Sequence, residues 1–302
     1  MEKPKKLIVI LGPTAVGKSA LAIRVAQHYH TEIISADSRQ IFKELNIGVA
    51  RPTDEELSAV PHHFIAHISI HDKYSAGSYE REALSKLETL FNDHDVVVCC
   101  GGSMMYVDAL VKGLDDLPSD ESVREKIVAE FKEHGVLKLQ ERLQALDPVY
   151  YSEVDKQNPH RLIRGLEVCE VSGRPYSALR SESHKPRNFE VVTIGLTAQR
   201  NWLYSRINKR VDAMFSLGLE EEAKSVHVYA HLNALNTVGY KELFDFFDGK
   251  CTMEEAKEKI KQHSRNFAKR QLTWWRRDER ILWVSADSSG DMLNFVVQQV
   301  GS

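Results

Sequence analysis

Apolar positions along the chain change their period several times, and each change predicts an element. Leu7-Ile8-Val9-Ile10-Leu11 is a continuous, partly β-branched run that stops at Gly12, the pattern of a parallel strand buried on both faces. From about Lys18 a helix is predicted, with Leu21, Val25 and the nearby alanines as its buried stripe. Ile33-Ile34-Ser35-Ala36 reads as a second short strand with Asp37 at its carboxyl end. Asp95-Val96-Val97-Val98-Cys99-Cys100 reads as a third, running into Gly101-Gly102. Strands alternating with helical stretches predict an α/β fold with a doubly wound parallel sheet, whose ligands gather outside the carboxyl ends of the strands. Gly12, Asp37 and Gly101 all fall there.

After Leu117-Pro118 the strand pattern disappears until about His184. Helices are predicted over 122–133, 137–146 and 159–172, the last broken by Gly173-Arg174-Pro175. Strand character returns over 189–196, and the remainder to about Arg277 is again mostly helical. The organisation expected is a core domain built from 1–118 and 185–302, with 119–184 as an inserted all-helical subdomain. No internal repeat or low-complexity tract interrupts it.

Composition narrows the class only slightly. With 302 residues, 42% hydrophobic and 27% charged, the chain is a folded globular protein large enough for one elaborated domain or two. A formal net charge of −3 means that any surface for a polyanion must be local. Cys99, Cys100, Cys169 and Cys251 lack metal-ligand spacing and read as thiols, which suits a reducing cytoplasm. Met1-Glu2-Lys3-Pro4-Lys5-Lys6 is charged, and the five apolar residues after it are too few for a signal peptide or a membrane span. A cytoplasmic protein without membrane contact is expected. No heptad seam is visible, so a monomer without an obligate protein partner is the default.

Gly12-Pro13-Thr14-Ala15-Val16-Gly17-Lys18-Ser19 matches the P-loop at every fixed position, between a strand and a helix as that motif requires. Small residues let successive N–H groups curl around phosphate oxygens, Lys18 adds charge, and the Ser19 hydroxyl can ligate Mg²⁺. The fold expected is therefore P-loop NTPase-like, and the ligand is a polyphosphate whose identity the motif leaves open. The apolar strand ending in an Mg²⁺-binding Asp that most nucleoside triphosphatases show is missing, since the strand after Asp95 ends in Gly-Gly-Ser. Asp37 is the acid best placed as a general base, and its position equally suits a cap for the next turn together with Ser38. A small-molecule kinase using Lys18, Ser19 and Asp37 fits these residues too.

Near the C-terminus Lys257, Lys261, Arg265 and Lys269 recur every fourth residue and predict one positive stripe, with Met253, Ala256, Ile260, Phe267 and Leu272 on a packing face. Arg270, Arg276 and Arg277 extend the charge, and Trp274 and Trp275 add aromatic surface. That pattern suits RNA phosphates and an unpaired base, and it also suits a solvated basic helix with core tryptophans. Pro61-His62-His63 carries no spaced metal partner and reads as structural, fixing a loop; Tyr74-Ser75-Ala76-Gly77 is a loop signal.

Taken together, several segments resemble the tRNA dimethylallyltransferases, also called isopentenyl transferases, of the bacterial type. They are the P-loop, Ala36-Asp37-Ser38-Arg39-Gln40-Ile41-Phe42, Asn46-Ile47-Gly48-Val49-Ala50-Arg51-Pro52, Pro61-His62-His63 and Tyr74-Ser75-Ala76-Gly77. Further on come Gly101-Gly102-Ser103-Met104-Met105-Tyr106, Asn158-Pro159-His160-Arg161-Leu162-Ile163-Arg164, Val238-Gly239-Tyr240-Lys241-Glu242 and Lys269-Arg270-Gln271-Leu272-Thr273-Trp274-Trp275-Arg276. The matches run in family order to about residue 277. Ser103 stands where Thr is common and keeps the hydroxyl, whereas Phe42 stands where Tyr is frequent and loses one. Neither a zinc finger nor a mitochondrial leader is evident, which points to the bacterial branch.

The resemblance implies transfer of the dimethylallyl group from dimethylallyl diphosphate to the exocyclic amine of the adenosine 3′ of the anticodon, in tRNAs reading codons that begin with U. It implies that residues 12–19 hold the diphosphate with Mg²⁺ at Ser19, that Asp37 takes the amine proton, and that Thr14, Lys18 and Arg210 stabilise the leaving group. For the tRNA anticodon stem-loop it implies Asp37, Ser38, Arg39, Gln40, Ser103, Arg124, His160, Arg161, Arg164, Gly239, Tyr240, Lys241, Lys269, Arg270, Gln271, Trp274 and Arg276. A target base held in an anticodon loop must be extruded to reach a P-loop.

Overall fold

The structure is a computed structural model that describes residues 4–180, 185–288 and 290–301. Met1, Glu2, Lys3 and the expected domain boundary at His184 lie outside the described residues. The first apolar run forms β1 (Lys6–Leu11), and the P-loop turns the chain into α1 (Lys18–His28). Next come β2 (Ile33–Ser35), α2 (Asp54–Ala59) opened by a Thr53–Glu56 capping box, and β3 (His62–His63). Ser75 caps α3 (Ala76–Asp93), which leads to β4 (Val96–Gly101) and α4 (Met104–Lys112). Four helices follow: α5 (Glu121–Leu146), α6 (Pro148–Glu153), α7 (Pro159–Ser172) and α8 (Tyr176–Leu179). The chain then runs through β5 (Glu190–Thr197), α9 (Arg200–Ser216), α10 (Leu219–Val226), α11 (Tyr240–Phe247), α12 (Met253–Trp275), β6 (Leu282–Ser285) and α13 (Met292–Val300).

Among the described residues six strands pair in parallel in the order β3-β2-β4-β1-β5-β6. β1 is central, and strand alternation sends Leu7, Val9 and Leu11 to one face and Ile8 and Ile10 to the other. The first face packs on α3, α4 and α11 through residues such as Tyr79, Leu110 and Leu243; the second packs on α1, α9 and α13 through Val25, Ile207 and Val296. The sheet grows to one side of β1 through β4 and to the other through β5, so the carboxyl end of β1 is a topological switch point. The fold is of the P-loop NTPase-like type, and the P-loop leaves β1 at that point.

Contacts divide the chain into two units, 1–112 with 186–302, and 113–185. The second unit has its own core of Ile127, Leu139, Leu143, Tyr150, Leu162, Ile163 and Leu166. Its long helix α5 is interrupted at Gly135, whose φ of 77° leaves two helical segments close to those the sequence predicts. Glu167 is buried at 2% exposure of its side chain and binds both Arg124 and Arg164; Arg164 also donates to the carbonyls of Leu117 and Pro118. These two arginines, expected to touch tRNA, are thus engaged by a carboxylate that would otherwise be an uncompensated buried charge. His160 and Arg161 are exposed in the first turn of α7.

Several local expectations change. His62 and His63 form an edge strand in place of a loop: His63 Nε2 lies 2.5 Å from Glu32 and His62 Nδ1 lies 2.8 Å from the Val60 carbonyl oxygen. Tyr74 to Gly77 is a helix start, because Ser75 Oγ accepts from the Ser78 amide. β6 and α13 were not foreseen: a four-residue strand with one exposed end leaves too little pattern to read. Among the described residues no helix is long and apolar enough to cross a membrane, and no group of three or more His, Cys, Asp or Glu could hold a metal ion.

The end of β4 lies so close to the end of β2 that a Cβ on Gly101 would sit 2.1 Å from the Ala36 carbonyl oxygen. Gly101→Ala is expected to lower stability by about 1–3 kcal/mol through forced backbone displacement. Urea denaturation measures this, and an unchanged midpoint would show that the two strand ends are not clamped together.

Candidate active site

The P-loop is shaped by backbone conformations that most side chains avoid. Gly12 has φ 148°, Ala15 φ 64° and Gly17 φ 110°. A Cβ on Gly12 would stand 2.7 Å from the Leu196 carbonyl oxygen on β5, so both space and conformation require glycine. No side chain caps α1 and no acid occupies its first turn, which leaves the positive end of the helix dipole facing the loop. Arg206, from α9, donates from Nε to the Ala15 carbonyl at 2.9 Å and lies over the Trp202 ring. Sequence reasoning gave Arg206 no role.

Lys18 donates from Nζ to the Pro13 carbonyl oxygen at 2.9 Å. Burial pulls its pKa down from 10.5 to about 8, a shift that the neighbouring Arg210 deepens and Asp37 opposes. Arg210 projects from α9 and donates from Nη1 to Thr14 Oγ1 at 3.2 Å; burial lowers its pKa too, again against the pull of Asp37. Cys100 lies beside Lys18 as a neutral thiol, pushed up to about 11 by burial. Two desolvated cations at the end of β1 make the site a poor place for further positive charge and a good one for an anion.

Asp37 serves both roles open to it. Its Oδ1 accepts from the amides of Arg39 (2.9 Å) and Gln40 (3.3 Å), capping the turn, and the same carboxylate lines the cavity with Lys18 and Arg210. Neither amide bond falls on Oδ2. Arg39 and Gln40 are spent largely on shaping the wall: Arg39 donates to the carbonyls of Asn233 and Ala234, and Gln40 to those of Val49 and Ala50.

Gln271, expected on the RNA-binding surface, is instead a buried bridge. It is 1% exposed, its Oε1 accepts from the Thr14 amide at 2.9 Å, and its Nε2 donates to the Gly102 carbonyl oxygen at 2.8 Å. One side chain of α12 therefore ties the P-loop to the end of β4. Tyr240 is likewise a core residue, with its hydroxyl donating to Glu222 at 2.6 Å. That Glu222 carboxylate also accepts the amides of Asn46, Ile47 and Gly48, which sets the loop carrying Gly48 to Ala50 along the cavity.

The cavity above the strand ends has a volume of about 910 Å³ and is lined by Thr14, Lys18, Ser19, Asp37, Ser38, Ser103 and Arg210, with Gly239 and Lys241 from the start of α11. One wall is α12, but not the face predicted to be basic. Lys257 and Lys261 both bind Asp212 of α9, at 3.0 and 3.1 Å, and Arg265 donates to Asn208. The stripe read as an outer positive face is therefore a seam against α9. Lys259, His263, Phe267 and Arg270, spaced four, four and three residues, form the face that lines the cavity, and Arg270 lies 5.7 Å from the Phe267 ring centroid. Of the other predicted residues, Lys269 and Arg276 are exposed outside the cavity lining, Trp275 is core, and Trp274 donates its indole N–H to Asp108.

The family model for IPP transferase matches residues 40–278. A tRNA dimethylallyltransferase of Christiangramia forsetii is 51% identical over 98% of this chain and 99% of its own length. The tRNA dimethylallyltransferase 1 of Bacteroides thetaiotaomicron is 48% identical over 96% and 94%. Among solved structures, the full-length tRNA isopentenylpyrophosphate transferase of Bacillus halodurans superposes with a TM-score of 0.69 at 34% identity, covering 97% of this chain and 93% of that one. A eukaryotic dimethylallyltransferase captured acting on tRNA superposes with a TM-score of 0.78 at 25% identity over 93% of this chain and 74% of that one.

The desolvated lysine yields a stability prediction with a definite sign. The unfolded chain keeps the Lys18 proton to its ordinary 10.5, whereas the fold gives it up near 8. The destabilising contribution of Lys18 is thus full below pH 8 and relieved as pH rises toward 10.5. Lys18→Met is expected to raise the Tm of the ligand-free protein by roughly 2–4 °C at pH 7 and by less at pH 10. A Tm gain that is equal at both pH values, or a loss at pH 7, would refute this account of the site.

Proposed function

The chain belongs to the IPP transferase family and transfers a prenyl group to tRNA, and from that premise we propose that dimethylallyl diphosphate is the donor and the exocyclic amine of the adenosine 3′ of the anticodon the acceptor. The products are then N6-isopentenyladenosine and diphosphate, in tRNAs that read codons beginning with U. The observation that carries this reading is the convergence of Lys18, Arg210, Thr14 and Asp37 on one cavity.

The diphosphate sits on the P-loop, where its charge favours the protonated form of Lys18 against the burial that disfavours it. Thr14 Oγ1 already accepts a hydrogen bond from Arg210, so its own proton is available to the oxygen that leaves the allylic carbon. The amine nitrogen attacks that carbon, the carbon–oxygen bond breaks, and the electron pair departs with the diphosphate. The amine loses one proton, which Asp37 accepts; Oδ2 is the oxygen left for it, because Oδ1 holds the turn. Arg210 and Lys18 offset the charge that grows on the leaving group.

Mg²⁺ belongs to the same proposal. Ser19 offers a hydroxyl in the first turn of α1 that would hold the ion together with oxygens of the diphosphate. When bound, it supplies further positive charge to the leaving diphosphate.

Transfer of label from dimethylallyl diphosphate to an anticodon stem-loop tests the reading. Asp37→Asn keeps an acceptor for the turn and removes the base, so kcat is expected to fall about 10²–10⁴-fold while inorganic pyrophosphate still binds. Unchanged transfer by the variant would remove Asp37 from the mechanism. Phosphorylation of a small acceptor by ATP, with no transfer by the wild type, would favour the kinase reading.

A further inference from the structure

Opposite the P-loop, the cavity contains an ordered pair that the chemistry above does not use. Glu242 is 5% exposed, and both of its carboxylate oxygens are engaged. Oε2 accepts from the Gly239 amide at 2.8 Å, closing the capping box of α11, and Oε1 meets His263 Nδ1 at 2.5 Å. A carboxylate fixed at one oxygen by its own helix start fixes the ring bound to the other. The imidazole side chain keeps 47% of its exposure and lines the cavity, and among the described residues its Nε2 has no protein hydrogen-bond partner. The ring is held from behind while its second nitrogen is left open.

Position along α12 separates this nitrogen from the donor site. Gln271 touches the P-loop through the Thr14 amide, and His263 lies two turns earlier on the same helix, roughly 12 Å away along the axis. A diphosphate seated on the P-loop does not span that distance. The charged groups nearest the His263 end of α12 and the start of α11 are mixed in sign: the cations Lys259 and Lys241 stand against Asp245, which binds Lys250, and the already paired Glu242. Phe267, one turn on from His263, offers a ring face in the same row.

We infer that His263, oriented by Glu242, is a contact for a backbone phosphate of the acceptor RNA, with Nε2 as the atom presented. His263 touches the substrate, whereas Glu242 is a positioning residue that acts through it. Phosphate contacts carry affinity without reading sequence, so this one holds the RNA against α12 without selecting the target base. The inference rests on the prenyl-transfer reading and extends it to a residue outside the P-loop, Asp37 and Arg210.

The test is steady-state prenyl transfer to an anticodon stem-loop, with inorganic pyrophosphate binding measured in parallel. His263→Ala is expected to raise KM for the RNA about tenfold with kcat nearly unchanged, the effect of losing one good polar contact. Pyrophosphate affinity and KM for dimethylallyl diphosphate should not move. His263→Gln, which restores a donor, should recover part of the RNA affinity. Glu242→Gln should raise KM for RNA less than His263→Ala does, and add nothing when combined with it. An unchanged KM for RNA in His263→Ala would overturn the inference. So would a weakening of pyrophosphate or dimethylallyl diphosphate binding in place of RNA binding, because the anion served would then be the donor. Absence of transfer by the wild type would overturn the prenyl-transfer reading itself, an outcome distinct from either.

Discussion

Desolvated positive charge at the end of the central strand is the constraint on which the rest of the structure depends. Lys18 and Arg210 are brought together where β1 ends, and burial lowers the pKa of both despite the nearby Asp37 carboxylate. Such a site is stable only if the surrounding backbone is firmly held, since two cations in a poorly solvated place repel one another. The Pro13 carbonyl takes the Lys18 ammonium, Thr14 takes Arg210, and Arg206 takes the Ala15 carbonyl. The chain's own groups thus arrange the loop for an anion, the kind of fixed electrostatic environment that helps catalysis of a reaction with an anionic leaving group.

Helix α12 supplies the second organising feature, because its faces serve different purposes. One is a seam with α9, in which Lys257 and Lys261 hold the Asp212 carboxyl below the usual carboxylate range. Another is core, with Ala256, Ile260 and Trp275. A third lines the cavity with Lys259, His263, Phe267 and Arg270, and Gln271 anchors the helix to the P-loop. A rotation of α12 would disturb both the diphosphate loop and the wall above it. The buried amide of Gln271 therefore has a positional role that an exposed RNA contact would not have: it fixes the distance between the two ends of the cavity.

Legibility of the site in the sequence followed from how local each feature is. The P-loop needs only successive residues, and the position of Asp37 follows from a strand that ends two residues before it. The helical insertion was readable from the loss of strand pattern and from the Gly173-Arg174-Pro175 break that ends α7. Tyr240 and Gln271 were placed on an open surface for a shared reason. Each is a polar or amphipathic side chain in a recognisable motif, and burial against Glu222 or Thr14 depends on segments far away in the chain. The His263–Glu242 pair escaped notice because its members lie on different helices.

By itself, then, the sequence determined the parallel α/β architecture, the phosphate loop, the acid beside it and the existence of a cationic C-terminal helix, since period and short-range spacing are enough to specify each. Tertiary structure alone decided which face of that helix meets the cavity. Helical period places Lys257, Lys261, Arg265 and Lys269 on one side, but it says nothing about what stands opposite. Asp212 and Asn208 of α9 claim three of those four side chains, because ion pairing and hydrogen bonding at a helix seam depend on the packing of two elements, and a single sequence period cannot express that.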